Sequence, residues 1–413
     1  MRYNPSALKL RPAHPVLLLL APAVAALAQM TSPLAPKPDW SGLDKYQASI
    51  TRTEFLTLLD TVYAPGGVWK PFLTVGDDSA TILTHKGAPP YVLRFAPAPD
   101  AIRPAPRFWR QKSQMPARPD GRPLNGVRIA LDPGHVGGIW AKQEERWFVI
   151  GKSSPVTEGD ITLKVAQLLV PRLESLGAQV WLTRSKAEPV TPERPDDLRK
   201  FAPASLAAKQ EPATPDSVQK EINWLFFRES EIRSRAEVVN TLIKPDLVLC
   251  LHVNAEPWGD PEHPTLTDKN HMHFLITGCF SDKEVGYEDQ RLTMLEKLLS
   301  RAYGEELAIA ETVAAAMAKA TGLPPYEYTT PNALKLGASP YVWARNLAAN
   351  RLFQCPVLYV EPYVQNSRAV FDRVQAGDYE GTRLVGGKTQ KSIYREYADG
   401  IAAGLAAYYS TTP

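Results

Sequence analysis

Cysteine is scarce in this chain, with three in 413 residues. An exported protein with that count leaves at least one thiol unpaired. Cys250 and Cys355 each lie in or beside an apolar run and read as small buried hydrophobes. A Cys250–Cys355 bridge between neighbouring strands is the alternative. No histidine accompanies a cysteine at a turn, so nothing marks a thiol nucleophile. Charge of one sign is missing too. Lys and Arg number 47 against 44 Asp and Glu, a net +3, so the composition lacks the basic footprint of a nucleic-acid binder. A membrane-spanning run is also absent. The apolar stretch 16–27 is shorter than the ~20 residues a spanning helix needs, and Pro22 interrupts it. Arg2, Lys9 and Arg11 precede that stretch and Ala26-Leu27-Ala28 closes it, the pattern of a cleaved export signal over 1–28. A periplasmic or cell-wall destination follows. No cysteine stands at the cleavage site to carry a lipid.

What is present suits a large folded chain, since 44% of the residues are hydrophobic. A Pro-rich tether spans 29–39. Residues 40–100 hold one helical pattern near 53–62 and three short strand patterns, a small α+β module for wall binding, docking or packing. Residues 101–125 alternate proline with basic residues and read as an extended, solvated linker. The remainder, 126–413, is expected to be the catalytic domain.

Chemistry concentrates at the ends of apolar runs. Val127-Arg128-Ile129-Ala130-Leu131 reads as a buried strand, and Asp132-Pro133-Gly134-His135 turns out of it. Glu158 opens an amphipathic helix over 158–176, and a strand at 179–182 follows. That β-α-β order predicts a right-handed crossover and a parallel sheet. His252 closes the run 247–251, and Glu361 closes 357–360. Strand ends on one edge of a parallel sheet converge. Two imidazoles and one carboxylate can hold a zinc ion with one position open to water, and a further Glu can act as base.

Six stretches carry a resemblance to a known family: LDPGHVGG at 131–138, TEGD at 157–160, GAQVWLTR at 177–184, RAEVVN at 235–240, LHVNA at 251–255 and CPVLYVEPYVQNS at 355–367. In this order they resemble the zinc-dependent N-acetylmuramoyl-L-alanine amidases, which cleave peptidoglycan. The resemblance implies Zn2+ held by His135, Glu158 and His252, with Glu361 as the catalytic carboxylate. Asp132 and Asn254 are candidates to orient an imidazole or hold a loop, and Arg235 and Asn240 to tie their helix to the site. The implied fold is α/β, a twisted, mostly parallel sheet flanked by helices, with the small α+β module in front. The implied substrate is peptidoglycan, with room for a protein activator, and a monomer is expected. Three departures stand out: Gly159 where the family has Lys, Pro362-Tyr363 where it has Gly-Phe, and a long insert at 185–234.

Other expectations concern the surroundings. Trp140, Trp147 and Phe148 either stack on sugar faces or cover the core of their loop. A long helix is expected over 216–243, its Trp224-Leu225-Phe226-Phe227 cluster packed on the core or gating the cleft. Another is expected over 292–320, and a closing helix over 392–409. His271 and His273 share one strand face and offer a rival ligand pair. Two other function classes use the same residues: a zinc peptidase cutting within the stem peptide, and a wall-binding protein that has lost catalysis.

Overall fold

The computed structural model describes residues 30–116 and 121–410; the expected export signal over 1–28 lies outside them. Thr51 caps the first helix, α1 (Arg52–Leu58), its hydroxyl accepting from the Glu54 amide. A π-helical turn at Leu59–Tyr63 extends it. Strands β1 (Leu73–Val75), β2 (Ser79–Ile82) and β3 (Tyr91–Arg94) then form an antiparallel sheet. The helix and strands expected over 40–100 are therefore present, and they are docked. Their buried side chains join the central core, and the Cys279 and Phe280 amides donate to the Val62 and Tyr63 carbonyls at 2.8 and 2.6 Å.

The central unit starts at β4 (Arg128–Pro133), followed by a short pair, β5 (Trp147–Phe148) and β6 (Val156–Thr157). Helix α2 (Glu158–Ser175) leads to β7 (Gln179–Leu182). The insert contributes α3 (Ala202–Lys209), α4 (Pro215–Trp224) and α5 (Glu231–Glu237). Strands β8 (Leu247–Leu251) and β9 (Met272–Ile276) follow, then α6 (Asp282–Gly286), α7 (Glu288–Ser300) and α8 (Ala302–Thr321). The chain ends through β10 (Leu334–Lys335), β11 (Val342–Ala344), α9 (Ala348–Leu352), β12 (Val357–Pro362), α10 (Arg368–Gln375) and α11 (Ile393–Ser410).

Seven strands form one sheet in the order β10-β11-β9-β12-β8-β4-β7. Pairs β4–β7, β4–β8, β12–β8 and β11–β9 are parallel, while β9 runs antiparallel to β12 and β10 to β11. The mostly parallel α/β sheet is thus present. Side-chain alternation sorts its two faces. Ile129, Leu131, Leu249 and Val360 pack beneath α2, α8 and α11. Ala130, Val248, Cys250, Val357 and Tyr359 pack on the other face against Trp109, Ala236, Val239 and Phe353. All three cysteines are free and buried, so the bridge between Cys250 and Cys355 is absent. No helix among the described residues is long and apolar enough to cross a membrane.

Several segments differ from their sequence expectation for identifiable reasons. The helix expected over 292–320 is two helices, because Arg301 takes a left-handed conformation (φ 59°) between α7 and α8. Its guanidinium pairs with Glu54 of the small module. The helix expected over 216–243 is continuous, with π-helical turns at Leu225–Ser230 and Val238–Ile243. Residues 102–116 are irregular apart from a 3-10 turn at Lys112–Gln114, yet Trp109 is 1% exposed. Arg110 grips Asp246 through three side-chain or backbone donors. The tether is docked as well. The Met30 carbonyl accepts from the Glu288 amide, and the Ser32 amide and hydroxyl both donate to Asp289.

Asp246 is the pin of the linker. Burial raises its pKa, but hydrogen bonds from Arg110 and Arg128 outweigh that and hold it below the ordinary range. Asp246→Ala is expected to cost about 2–4 kcal/mol in urea unfolding at pH 7, discounted because the two guanidinium groups are 34% and 26% exposed. A folded pKa below the unfolded value of about 3.9 gives stability that is present above that pH and lost as pH falls through the folded value. The gap between wild type and variant should therefore narrow below about pH 4; a gap constant down to pH 3 contradicts the assignment.

Candidate metal centre and its cleft

The turn after β4 is folded by two buried guanidinium groups. Arg235 donates to the Pro133 and His135 carbonyls at 2.8 and 3.0 Å, and to Asp132 and Glu231 at 3.1 and 2.8 Å. Arg184 donates to the Pro133, Gly134 and Gly159 carbonyls at 3.1, 3.2 and 2.8 Å. Drawing three successive carbonyls to one side leaves His135 in the left-handed region, φ 59°, a strained conformation that surroundings this strong can hold.

Two glycines let the ligand-bearing segments approach. A Cβ on Gly134 would stand 2.3 Å from the His252 ring. One on Gly159 would stand 2.2 Å from the Gly137 amide nitrogen. Gly159, a departure from the family pattern, is therefore required by the close seat of α2 against the 135–138 turn.

His135, Glu158 and His252 each present a ligand atom, and these atoms lie within 4.8 Å of one another. His135 Nε2 is 3.1 Å from one Glu158 oxygen, and His252 Nδ1 is 3.1 Å from the other. The far side of the His135 ring is taken. Glu144 accepts from Nδ1 at 2.7 Å and from the Val136 amide at 2.9 Å, which fixes the tautomer that leaves Nε2 facing the cluster. The His252 ring stacks on Tyr359, centroids 4.9 Å apart. Burial raises the Glu158 carboxyl, but both imidazoles outweigh that and hold it well below its ordinary pKa. Burial lowers His135, and Glu158 with Glu144 more than offset it upward. Two nitrogens and one carboxylate oxygen, buried and mutually oriented, fit a divalent metal ion.

Glu361 ends β12 beside this cluster. The antiparallel register sets it opposite His273 of β9, and His273 Nε2 lies 3.0 Å from Glu361 and 3.0 Å from the Tyr328 hydroxyl. Burial pushes the Glu361 carboxyl up, and His273 outweighs it, leaving the group below the ordinary carboxylate range. Asn254 meets the other His273 nitrogen at 3.4 Å. A cleft of about 680 Å3 contains His135, Glu158, His252, Asn254 and Glu361 in its walls.

The remaining candidates sort by contact. Asp132 accepts from Thr183 and Arg235 and touches no imidazole, so it holds the turn. Asn240 bonds the Leu352 carbonyl and the Gln354 amide, tying its helix to the approach of β12 rather than to the cleft. His271 and His273 do not enter the metal cluster. Trp147 and Phe148 are buried and Trp140 packs on Phe226 at 5.5 Å, so the loop aromatics cover core. Sequence reading missed Glu144, which lies in that loop without a periodic neighbour, and the pairing of His273 with Glu361, which needs the reversed direction of β9.

No family model matches the sequence, and no curated protein matches it. Solved structures do resemble the fold. The N-acetylmuramyl-L-alanine amidase Ami1 of Mycobacterium smegmatis is 16% identical, with 70% of this chain and 99% of that one covered at a TM-score of 0.39. The amidase AmiC2 of Nostoc punctiforme is 14% identical, with 70% and 99% covered and a TM-score of 0.37. The CwlD amidase of Clostridioides difficile, solved with the GerS lipoprotein, is 14% identical, with 68% and 98% covered and a TM-score of 0.37. At such scores the side chains, not the likenesses, decide the chemistry.

Glu144→Ala is expected to weaken binding of a divalent metal ion about 10–100-fold in calorimetric titration, since His135 loses the partner that orients it. Gly159→Ala should destabilise the fold by about 1–3 kcal/mol through overpacking, measured by urea unfolding of the metal-free protein. Unchanged values in both variants would mean that the turn and helix are not held as described.

Proposed function

We propose that this chain is a zinc-dependent hydrolase of the amide between N-acetylmuramic acid and L-alanine in peptidoglycan. The observation that carries the reading is the convergence of His135, Glu158, His252 and Glu361 on one cleft. His135, Glu158 and His252 would hold the ion, and the donor set matches three-ligand catalytic zinc. Zinc bound there would supply an acidified water and a polarised amide carbonyl. The export signal read at 1–28 is consistent with a wall substrate.

The chain's own groups supply the proton handling. Glu361, ionised at neutral pH, accepts the proton from the attacking water and returns it to the departing amine. His273 holds one Glu361 oxygen, and Tyr328 fixes the same imidazole nitrogen's position. Asn254 steadies the ring from its other side. Tyr397 donates to the His252 and Val360 carbonyls at 2.9 and 2.6 Å. That hydroxyl keeps the ends of β8 and β12, and so one metal ligand and the base, in register.

Purified protein incubated with isolated sacculi is expected to release intact stem peptides with a free L-alanine amine, detected by mass spectrometry, and to stop on zinc chelation. Cuts within the peptide would replace this reading with a stem peptidase. Glu361→Gln should lower turnover by about 10²–10⁴-fold while the bound zinc stays equimolar. Retained turnover in that variant would remove Glu361 from the role of base.

A further inference from the structure

The insert places an arginine beside the candidate metal ligands with no direct side-chain partner. The π-helical turn at Leu225–Ser230 sits between α4 and α5, and such turns recur at functional sites. Its Phe226 and Phe227 pack against Trp140 and each other. Arg228, the next residue, leaves that cluster and lines the cleft together with His135, His252 and Tyr359. Among the described residues its guanidinium makes no hydrogen bond and no ion pair. Burial lowers its pKa and the like charge of Arg146 lowers it further, and the more distant charges of Glu144 and Glu158 offset this only in part. Arg146 lines the same cleft and reaches Glu158 only at 3.8 Å.

The nearby carboxylates are already committed. Glu144 is held by His135 and the Val136 amide, and Glu158 by both metal-ligating histidines. Lys209, on the same wall, is satisfied by Glu221 at 2.6 Å and by the Trp224 ring at 3.8 Å. Two guanidinium groups thus face one space beside the candidate metal ligands, near carboxylates whose hydrogen bonds go to the imidazoles and a backbone amide. A half-buried guanidinium left bare is costly, and its planar fork matches a carboxylate with two parallel bonds.

We propose that Arg228, with Arg146 beside it, binds a carboxylate of the substrate peptide close to the scissile amide, so that the cleft selects acidic stem peptides over amidated ones. The proposal rests on the amide-hydrolase reading for the identity of the peptide. A carboxylate carries its full charge before any bond is broken, so Arg228 is a specificity residue that acts in substrate binding. It belongs to the insert at 185–234, which the family motifs do not cover.

The test compares N-acetylmuramoyl-L-alanyl-D-glutamate with the same compound amidated at both carboxyls. Two readouts are used: KM and kcat with the zinc-loaded protein, and calorimetric binding to the metal-free protein. The wild type is expected to favour the acid about 10–100-fold, carried in KM, as one charge-assisted hydrogen-bonded pair supplies. Arg228→Gln should raise KM for the acid and bring the two substrates close to parity, and Arg228→Lys should recover part of the difference. Binding of the acid to metal-free protein should weaken in the same order. Equal losses of kcat on both substrates, or a wild type that does not discriminate, overturn the proposal. Arg228-dependent binding of the acid without hydrolysis of either compound would overturn the amidase reading and leave this one standing.

Discussion

Everything at the site depends on the burial of Arg235. A buried guanidinium is tolerable only when its donors are met. Here Asp132, Glu231 and the carbonyls of Pro133 and His135 meet them. These partners raise its pKa although burial pulls the other way, so the charge is permanent. The same bonds curl the turn after β4, aim His135 at Glu158, and fasten the insert helix to the sheet. Arg184 completes the clamp from the end of β7, and its pKa is lowered to about 9, chiefly by burial and then by the like charge of Arg235.

Around that turn the parallel sheet does the positioning. β4, β8 and β12 lie side by side and run the same way. Their carboxyl ends therefore bring His135, His252 and Glu361 to one edge. Glu158 joins them at the first turn of α2, where Gly159 allows contact with the loop. β9 runs the other way, and its reversal is what sets His273 against Glu361. The candidate metal ligands and the proposed base are thus served by different strand directions in one sheet.

The legible part of the site was the part written at strand ends. His135, His252 and Glu361 each close an apolar run, and Glu158 opens a periodic helix, so pattern alone placed them together. Glu144 and Arg228 were not legible. One sits in an aperiodic loop and the other in a π-helical turn, where the side-chain direction departs from a regular helix. His273 was visible as a strand residue, but its partner is decided by register. The tether and linker misled for a related reason. Proline and charge suggest a solvated chain, whereas a single buried Trp109 and the Arg110–Asp246 pair dock one segment, and Ser32 docks the other on Asp289. Docking by backbone bonds and isolated side chains leaves no periodic trace.

The most direct measurement is X-ray absorption at the zinc edge on protein loaded with one equivalent of zinc, for wild type and His135→Ala. Two nitrogen ligands and one carboxylate at about 2.0–2.2 Å, with one nitrogen lost in the variant, are what a centre of His135, Glu158 and His252 predicts. A sulfur scatterer at about 2.3 Å, or a spectrum unchanged in the variant, would place the ion elsewhere and contradict the account.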